Sequence, residues 1–263
     1  MKEKRLNDKV AQRRSGKKLL SIHNLTVSFD GFKALNNLNF SMEVGELRVI
    51  IGPNGAGKTT FLDTITGKTQ PTEGTIHFKG KNLHGLKEHT ISALGIGRKF
   101  QTPRVYLNLS VRENMALAYN PHKSLFKTLF PKFTLGENDA IAQGLETVGL
   151  LGKAQLPALL LSHGEKQRLE IGMLVAQSPD LLLVDEPVAG LTDDETEKVG
   201  ALLLDLAKRH SILVIEHDME FVRQIAQTVT VLHEGSVLCE GTMDQIQCDR
   251  RVIEVYLGQQ DDE

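Results

Sequence analysis

The sequence predicts an α/β fold with a parallel-sheet core, an N-terminal antiparallel β subdomain and an inserted helical subdomain. Apolar and polar residues alternate in 18–29 and in 34–42, which is the pattern of half-buried antiparallel strands. Three later segments lack this alternation and are typical of strands that are covered on both faces. They are residues 47–51, 181–184 and 212–215. Between about residue 82 and residue 150 the apolar spacing becomes helical, which indicates the insertion.

The chain is expected to form one main domain between two short terminal segments. Residues 1–18 carry eight Lys or Arg and two acidic residues, a net charge of +6, so they are interpreted as a flexible basic leader. An alternative is that the leader touches anionic lipid or nucleic acid. The main domain spans residues 19–258, with its helical subdomain at about 82–165. Residues 259–263 form an acidic tail.

Composition excludes several classes of protein. The 263 residues are 40% hydrophobic and 24% charged, with three Tyr and no Trp, which fits a globular protein with little aromatic surface for stacking on bases. No run approaches the ~18 apolar residues that a membrane span requires, so we expect any membrane role to act through a partner. Cys239 and Cys248 have no metal-ligand spacing and are expected to be reduced thiols.

A glycine-rich loop follows the first buried strand. The segment "IIGPNGAGKTTFLD" fits the pattern G-x-x-x-x-G-K-[ST], and it lies between a strand and a predicted helix. Backbone N–H groups of such a loop bind phosphate oxygens, Lys58 reaches the terminal phosphates, and the hydroxyl of Thr59 binds Mg²⁺. The alternative is a plain glycine turn. The predicted phosphate-binding residues are Gly52, Pro53, Asn54, Gly55, Ala56, Gly57, Lys58, Thr59 and Thr60.

Two later strands end in ionisable residues. "LLLVDEP" places Asp185 and Glu186 at a strand end, where two adjacent carboxylates need a cation to compensate them. We expect Asp185 to bind Mg²⁺ and Glu186 to orient and polarise the attacking water in phosphoanhydride hydrolysis. "ILVIEHD" places His217 beyond the next strand, within reach of the γ-phosphate or the water. The alternatives are an exposed acidic turn and a packed histidine.

These motifs, in this order, resemble the nucleotide-binding subunits of ABC transporters over residues 19–258. The resemblance implies a P-loop NTPase with the ABC cassette fold, with ATP and Mg²⁺ as cofactors. Phe29 in "VSFDGF" corresponds to the aromatic residue that stacks on adenine, although a core position is the alternative. Gln101 in "RKFQTP" corresponds to the hinge glutamine, which senses Mg²⁺ and faces the membrane partner.

The resemblance also assigns a role to "LSHGE" at residues 161–165. In that family this signature loop caps the ATP held by the opposing subunit, which implies that Ser162 and Gly164 bind the γ-phosphate of a second cassette. Three residues depart from the usual pattern: His163, Glu165 and Thr192. Glu165 adds a negative charge near the triphosphate, which should weaken closure unless Lys166 or Arg168 offsets it.

Within the family, "DEPVAGLT", "LEIG" and "RRVIEVYLG" resemble the branched-chain amino acid and urea importer branch. "LSHGEKQRLEIGM" and "DEPVAG" look most like an ATP-binding subunit of the urea transporters. The resemblance implies an ATPase at the cytoplasmic face of the inner membrane. Its partners are a second cassette, identical or paralogous, two permease subunits and, indirectly, a periplasmic substrate-binding protein, with no nucleic acid. The alternatives are an amino acid importer ATPase and a non-transport ABC ATPase acting on nucleic acid or ribosomes.

Overall fold

The structure is a computed structural model that describes residues 16–99, 105–119 and 134–257. The strands are β1 (Lys18–Phe29), β2 (Phe32–Glu43), β3 (Leu47–Ile51), β4 (Glu73–Phe78), β5 (Lys81–Asn82), β6 (Ile96–Lys99), β7 (Leu181–Asp185), β8 (Ser211–Ile215), β9 (Thr228–His233) and β10 (Ser236–Gly241). The helices are α1 (Lys58–Ile65), α2 (Glu88–Ala93), α3 (Val111–Tyr119), α4 (Leu135–Thr147), α5 (His163–Val175), α6 (Asp193–Ala207), α7 (Met219–Ile225), α8 (Met243–Cys248) and α9 (Arg250–Leu257).

The strands form two sheets. The N-terminal sheet has the order β2-β1-β4-β5 and is antiparallel, as the alternating patterns predict. The main sheet has the order β10-β9-β3-β8-β7-β6, and its strands from β9 to β6 run parallel. β10 joins its edge as the antiparallel partner of β9, so the hairpin makes the core sheet a mixed one.

The helical insertion is narrower than the sequence predicts. Residues 81–82 extend the N-terminal sheet as β5, and residues 96–99 form β6, an edge strand of the main sheet. The described helices of the insertion, α3 and α4, therefore begin beyond β6 and not near residue 82. Four residues are too few to show a strand period, and the buried Lys99 makes this strand resemble an exposed segment.

The central strands are buried on both faces, which explains their lack of alternation. Val49 of β3 and Leu182 of β7 belong to a core cluster shared with α5 and α6. The adjacent residues Ile50 and Leu183 belong to a second cluster, which includes α1 and the N-terminal sheet. Each face therefore excludes water, and burying one such aliphatic side chain contributes about 1.5–3 kcal/mol. The rigid sheet fixes where its strand ends lie.

The carboxyl ends of β3, β7 and β8 lie side by side, because these strands are parallel neighbours in register. The glycine-rich loop leaves β3, Asp185 ends β7, and residues 216–218 follow β8. Within the described ranges, no helix combines the length and apolar character that a membrane crossing demands.

Candidate functional site

The glycine-rich loop is shaped by two positions where only glycine fits. Gly57 has φ of 97°, and a Cβ there would lie 2.5 Å from the Ala34 carbonyl oxygen. A Cβ at Gly52 would lie 2.3 Å from the Leu232 carbonyl oxygen. Gly55, at φ of 79°, faces open space. The loop is thus pressed against β2 and β9 on one side and open on the other, which is the shape of a phosphate cradle.

Lys58 begins α1 and turns back over this loop. Its Nζ donates to the carbonyl oxygens of Gly52 at 2.6 Å and Pro53 at 2.9 Å. Burial lowers the pKa of Lys58, while the carboxylates of Glu186 and Asp185 act in the opposite direction. The ammonium group therefore lies on the loop and within the field of the carboxylates at the end of β7.

Asp185 is buried at the end of β7 and is held by Arg98 of β6. Arg98 Nη2 donates to Asp185 Oδ2 at 3.1 Å, and Nη1 donates to Asp63 of α1. Burial raises the pKa of Asp185, although the Arg98 hydrogen bond partly opposes that rise. Sequence reasoning missed Arg98, because nothing local shows that the short segment around it is the strand beside β7.

Glu186 follows Asp185 in an uncommon backbone conformation. Its φ is 42°, in the left-handed region, which costs an L-residue on the order of 1 kcal/mol and often marks functional positions. Its N–H donates to the Ile215 carbonyl oxygen at 3.0 Å, which ties it to β8. The side chain is 26% exposed, and its Oε1 lies 3.7 Å from Nδ1 of His217. The structure therefore brings Glu186 and His217 together.

Glu216 is a further residue of this edge that sequence reasoning did not single out. It is fully buried, and its carboxylate accepts N–H bonds from Val188 at 3.2 Å, His217 at 2.9 Å and Asp218 at 3.3 Å. Burial raises the pKa of Glu216, while these N–H groups act to lower it. The carboxylate fixes the turn after β7 relative to the turn after β8. An acidic residue at the end of an apolar strand was the available signal.

The residues at this edge fit a magnesium ion that arrives bound to phosphate. In the described parts of the chain, no group of three or more His, Cys, Asp or Glu side chains forms a site able to hold a metal alone. Mg²⁺ usually binds one or two carboxylates together with substrate phosphates and water. Asp185 offers the carboxylate, and the exposed Thr59 at the start of α1 offers a hydroxyl.

The aromatic residue predicted to stack on adenine is exposed at the end of its strand. Phe29 is the last residue of β1, and 50% of its surface is exposed, so the alternative of a core position is wrong. Phe32, its cross-strand partner in β2, is 69% exposed. Gln101 lies outside the described residues, as do residues 1–15 of the leader and the tail.

The signature loop is a well-formed helix start. Ser162 caps α5, and Glu165 completes a capping box by accepting the Ser162 N–H at 3.1 Å. Lys153 pairs with Glu165, so the direct counter-charge is Lys153 and not Lys166. Burial acts to raise the pKa of Glu165, but Lys153 and the Ser162 N–H outweigh it and the net shift is downward. Arg168 adds a weaker favourable charge and donates to the Val148 carbonyl oxygen at 2.7 Å.

Thr192 is a helix cap in this structure. Its side chain accepts the Glu195 N–H at the start of α6, and Glu195 completes a second capping box. The carboxylate of Glu195 also reaches the signature loop, where Ser162 Oγ donates to Glu195 Oε1 at 2.7 Å. Ser162 and Gly164 thus contact Glu195 of their own chain, a contact that joins two helix starts and that the sequence did not predict.

Comparison with known proteins identifies the family. Residues 35–189 match the family described as ABC transporter, and residues 236–262 match the family described as branched-chain amino acid ATP-binding cassette transporter. The chain belongs to the ABC transporter family. It is an ATPase cassette of the transport type, and its fold is that of solved ABC cassettes. The matched range 35–189 contains the glycine-rich loop, Asp185 and Glu186.

Similar proteins cover nearly the whole cassette. This chain is 38% identical to two high-affinity branched-chain amino acid transport ATP-binding proteins, LivG of Escherichia coli (strain K12) and BraF of Pseudomonas aeruginosa. Each alignment covers 92% of this chain and 98% of the relative. The ADP conformation of MJ1267, an ATP-binding cassette of an ABC transporter, superposes with a TM-score of 0.80 at 30% identity, over 92% of this chain and 99% of that chain. These names support the amino acid alternative better than urea.

Proposed function

We propose that this cassette binds and hydrolyses ATP to power an importer of the branched-chain amino acid type. The observation that carries the proposal is the meeting of Lys58, Asp185 and Glu186 at one edge of the main sheet, beside an open glycine loop. In open α/β sheets, ligands bind at the carboxyl ends of the strands. The relatives described as transport ATP-binding proteins support the coupling to transport.

The phosphate loop and Lys58 hold the triphosphate. N–H groups of residues 54–60 donate to phosphate oxygens, and the N-terminus of α1 adds its partial positive charge. Lys58 exchanges its bonds to the carbonyl oxygens of Gly52 and Pro53 for bonds to the terminal phosphates. Asp185, Thr59 and Gln101 are the residues that would hold Mg²⁺, which would neutralise charge on the transferred phosphoryl group. Phe29 stacks on the adenine ring.

Glu186 and His217 act on the attacking water. The Glu186 carboxylate accepts a hydrogen bond from the water and turns its lone pair toward the γ-phosphate. His217 lies beside Glu186 with a side chain that is 64% exposed, so it can contact the phosphate and hold the two groups in register. Glu216 and Arg98 act through other residues, since they position His217 and Asp185 respectively.

Two cassettes close around nucleotide. The start of α5, with Ser162 and Gly164, lies in a separate part of the sequence from the phosphate loop and presents its donors to an anion. We assign these donors to the γ-phosphate held by Lys58 of a second cassette, either an identical chain or a paralogue. The capping box of Glu165 and its pairing with Lys153 explain how an acidic residue is tolerated there.

An exposed apolar surface next to the insertion suits a permease subunit. Backbone hydrogen bonds join Leu159 to Leu107 and Ala158 to Leu109, both at 2.9 Å, so two loop segments lie together. Large apolar side chains stand exposed on these segments, at Tyr106, Leu107, Leu156, Leu159 and Leu160. Such a patch marks an interaction site. Closure of the cassettes moves this surface and so the two permeases, at the cytoplasmic face of the inner membrane.

Two cargoes remain, each with its own support. The relatives and the match over residues 236–262 favour branched-chain amino acids. The segments "LSHGEKQRLEIGM" and "DEPVAG" favour urea. Uptake of labelled leucine and labelled urea, measured in cells that lack this chain and again after its gene is restored, separates them, because only the true cargo depends on the chain. A periplasmic binding protein that co-purifies with the permeases identifies the same cargo by its ligand.

The hydrolytic role is tested with Glu186→Gln. We expect ATP affinity to persist while hydrolysis falls about 100- to 10,000-fold, the range for loss of a general base. ATP-dependent dimers should then accumulate in gel filtration. Glu73→Gln, the same change at an exposed position of β4, is the matched control and should hydrolyse ATP normally. Normal turnover in Glu186→Gln would remove this carboxylate from the mechanism.

A further inference from the structure

The start of α5 already holds an anion in this structure, and that anion is a side chain of the same chain. Ser162 Oγ donates to Glu195 Oε1 at 2.7 Å, and the Gly164 N–H donates to the same carboxylate. A hydroxyl and a first-turn N–H are the donors that a phosphate oxygen would take at a helix N-terminus. The Glu195 carboxylate therefore lies where the proposed function places the γ-phosphate of a second cassette.

Gly164 is what allows the carboxylate to come this close. A Cβ built on Gly164 would lie 2.7 Å from Cδ of Glu195 and 2.9 Å from its Cγ, both shorter than real contacts. The Glu195 side chain thus lies directly over the Gly164 Cα, and Gly164 is buried although it is in the first turn. Any larger residue would force the carboxylate away. Because Gly164 has no side chain, it leaves room for a carboxylate that is present before any nucleotide binds.

The charge of Glu195 suits this contact. The Ser162 hydrogen bond is the largest of the causes that hold the pKa of Glu195 below its usual value, followed among the favourable ones by the N–H groups of Thr192 and Gly164. Glu195 therefore remains ionised at neutral pH, and a fixed negative charge at the start of α5 repels a second anion.

The other duty of Glu195 does not require the contact with Ser162. Glu195 also forms the capping box of α6. There the Thr192 N–H donates to Glu195 Oε2 at 3.4 Å, and the Glu195 N–H donates to Thr192 Oγ1 at 3.4 Å. The corresponding N–H bond to Glu137 in the capping box of α4 is 2.8 Å. The bond from the Thr192 N–H to the Glu195 carboxylate is thus the longer of the two, and it could shorten if the carboxylate left α5.

We infer that Glu195 is an internal competitor for the signature loop, which occupies the donors of Ser162 and Gly164 until the nucleotide of a second cassette displaces it. The inference rests on the proposed closure of two cassettes around ATP. Because the carboxylate must leave before the phosphate can bind, it sets the threshold for closure. It also couples the turn after Pro187 to the signature loop, since Glu195 lies in the first turn of the helix that follows.

The first test measures dimer formation. In the Glu186→Gln parent with ATP and Mg²⁺, analytical ultracentrifugation gives the dimer dissociation constant before and after Glu195→Gln. Gln preserves a capping box but removes the charge, so the fold is retained. We expect a dissociation constant lower by about three- to tenfold, the effect of one or two exposed charge-assisted hydrogen bonds. Glu137→Gln, the same change in the capping box of α4, is the matched control and should leave it unchanged.

The second test separates this inference from the proposed function. Chains labelled with ¹⁵N-glycine report the Gly164 amide in the ATP-free protein, and inorganic phosphate serves as the probe. We expect phosphate to shift this amide at concentrations at least about threefold lower in Glu195→Gln than in the parent. An equal response, or a dimer dissociation constant that is unchanged or raised, overturns the competitor role. If the parent fails to dimerise with ATP, the proposed closure fails, while the phosphate titration still decides the role of Glu195.

Discussion

Two glycines of the phosphate loop differ in the space available for a Cβ atom, and this difference allows a prediction. Gly57 and Gly55 both have positive φ, at 97° and 79°. A methyl group at Gly57 would lie 2.5 Å from the carbonyl oxygen of Ala34 and 2.9 Å from Cδ2 of Leu35, whereas at Gly55 no atom lies within 4 Å. The backbone cost of an L-residue is about 1–2 kcal/mol at either position. Forcing a methyl into packed atoms adds about 1–3 kcal/mol at Gly57 alone.

We therefore expect Gly57→Ala to lower the free energy of unfolding by about 2–5 kcal/mol and Gly55→Ala by about 1–2 kcal/mol. Equilibrium urea unfolding without nucleotide measures both, and the change in the midpoint at constant slope gives the difference. Gly57→Ala should also lose ATP affinity, because relief of the clash moves the start of α1. Equal destabilisation by the two variants would show that the loop is not pressed against β2, and the reasoning from close contact would fail.

Two further predictions concern other parts of the site. Arg98→Met should destabilise the chain by about 3–5 kcal/mol in urea unfolding, because it leaves the buried Asp185 without its Arg98 partner and leaves Asp63 with Lys68 alone. Arg98→Lys keeps the positive charge and should recover part of the lost free energy of unfolding. If Arg98→Lys and Arg98→Met were equally unstable, the loss would come from packing and not from charge. Phe29→Ala should weaken ATP binding in calorimetry by about 1–3 kcal/mol, the value of stacking on one base. Phe32→Ala is its matched control, and an equal weakening there would contradict the assignment.

The sequence determined what depends on neighbouring residues along the chain. Alternation identified β1 and β2, and the lack of polar residues identified β7 and β8, because burial on one face or on two leaves a different local pattern. The phosphate loop was equally local, since its glycine spacing and its flanking strand and helix lie within 47–65. Motif order then predicted the family, which the comparisons confirmed. The roles of the site residues stay predictions.

Only the tertiary structure decided which distant residues meet. Arg98 and Asp185 are 87 positions apart, and Ser162 and Glu195 are 33 apart, so no spacing rule along the chain connects them. Their contacts follow from strand order, which placed β6 beside β7, and from the packing of α5 against α6. An ionised side chain looks the same in sequence whether it faces water or a partner. The physical difference, loss of water around the charge and gain of a counter-charge or a donor, exists only after folding.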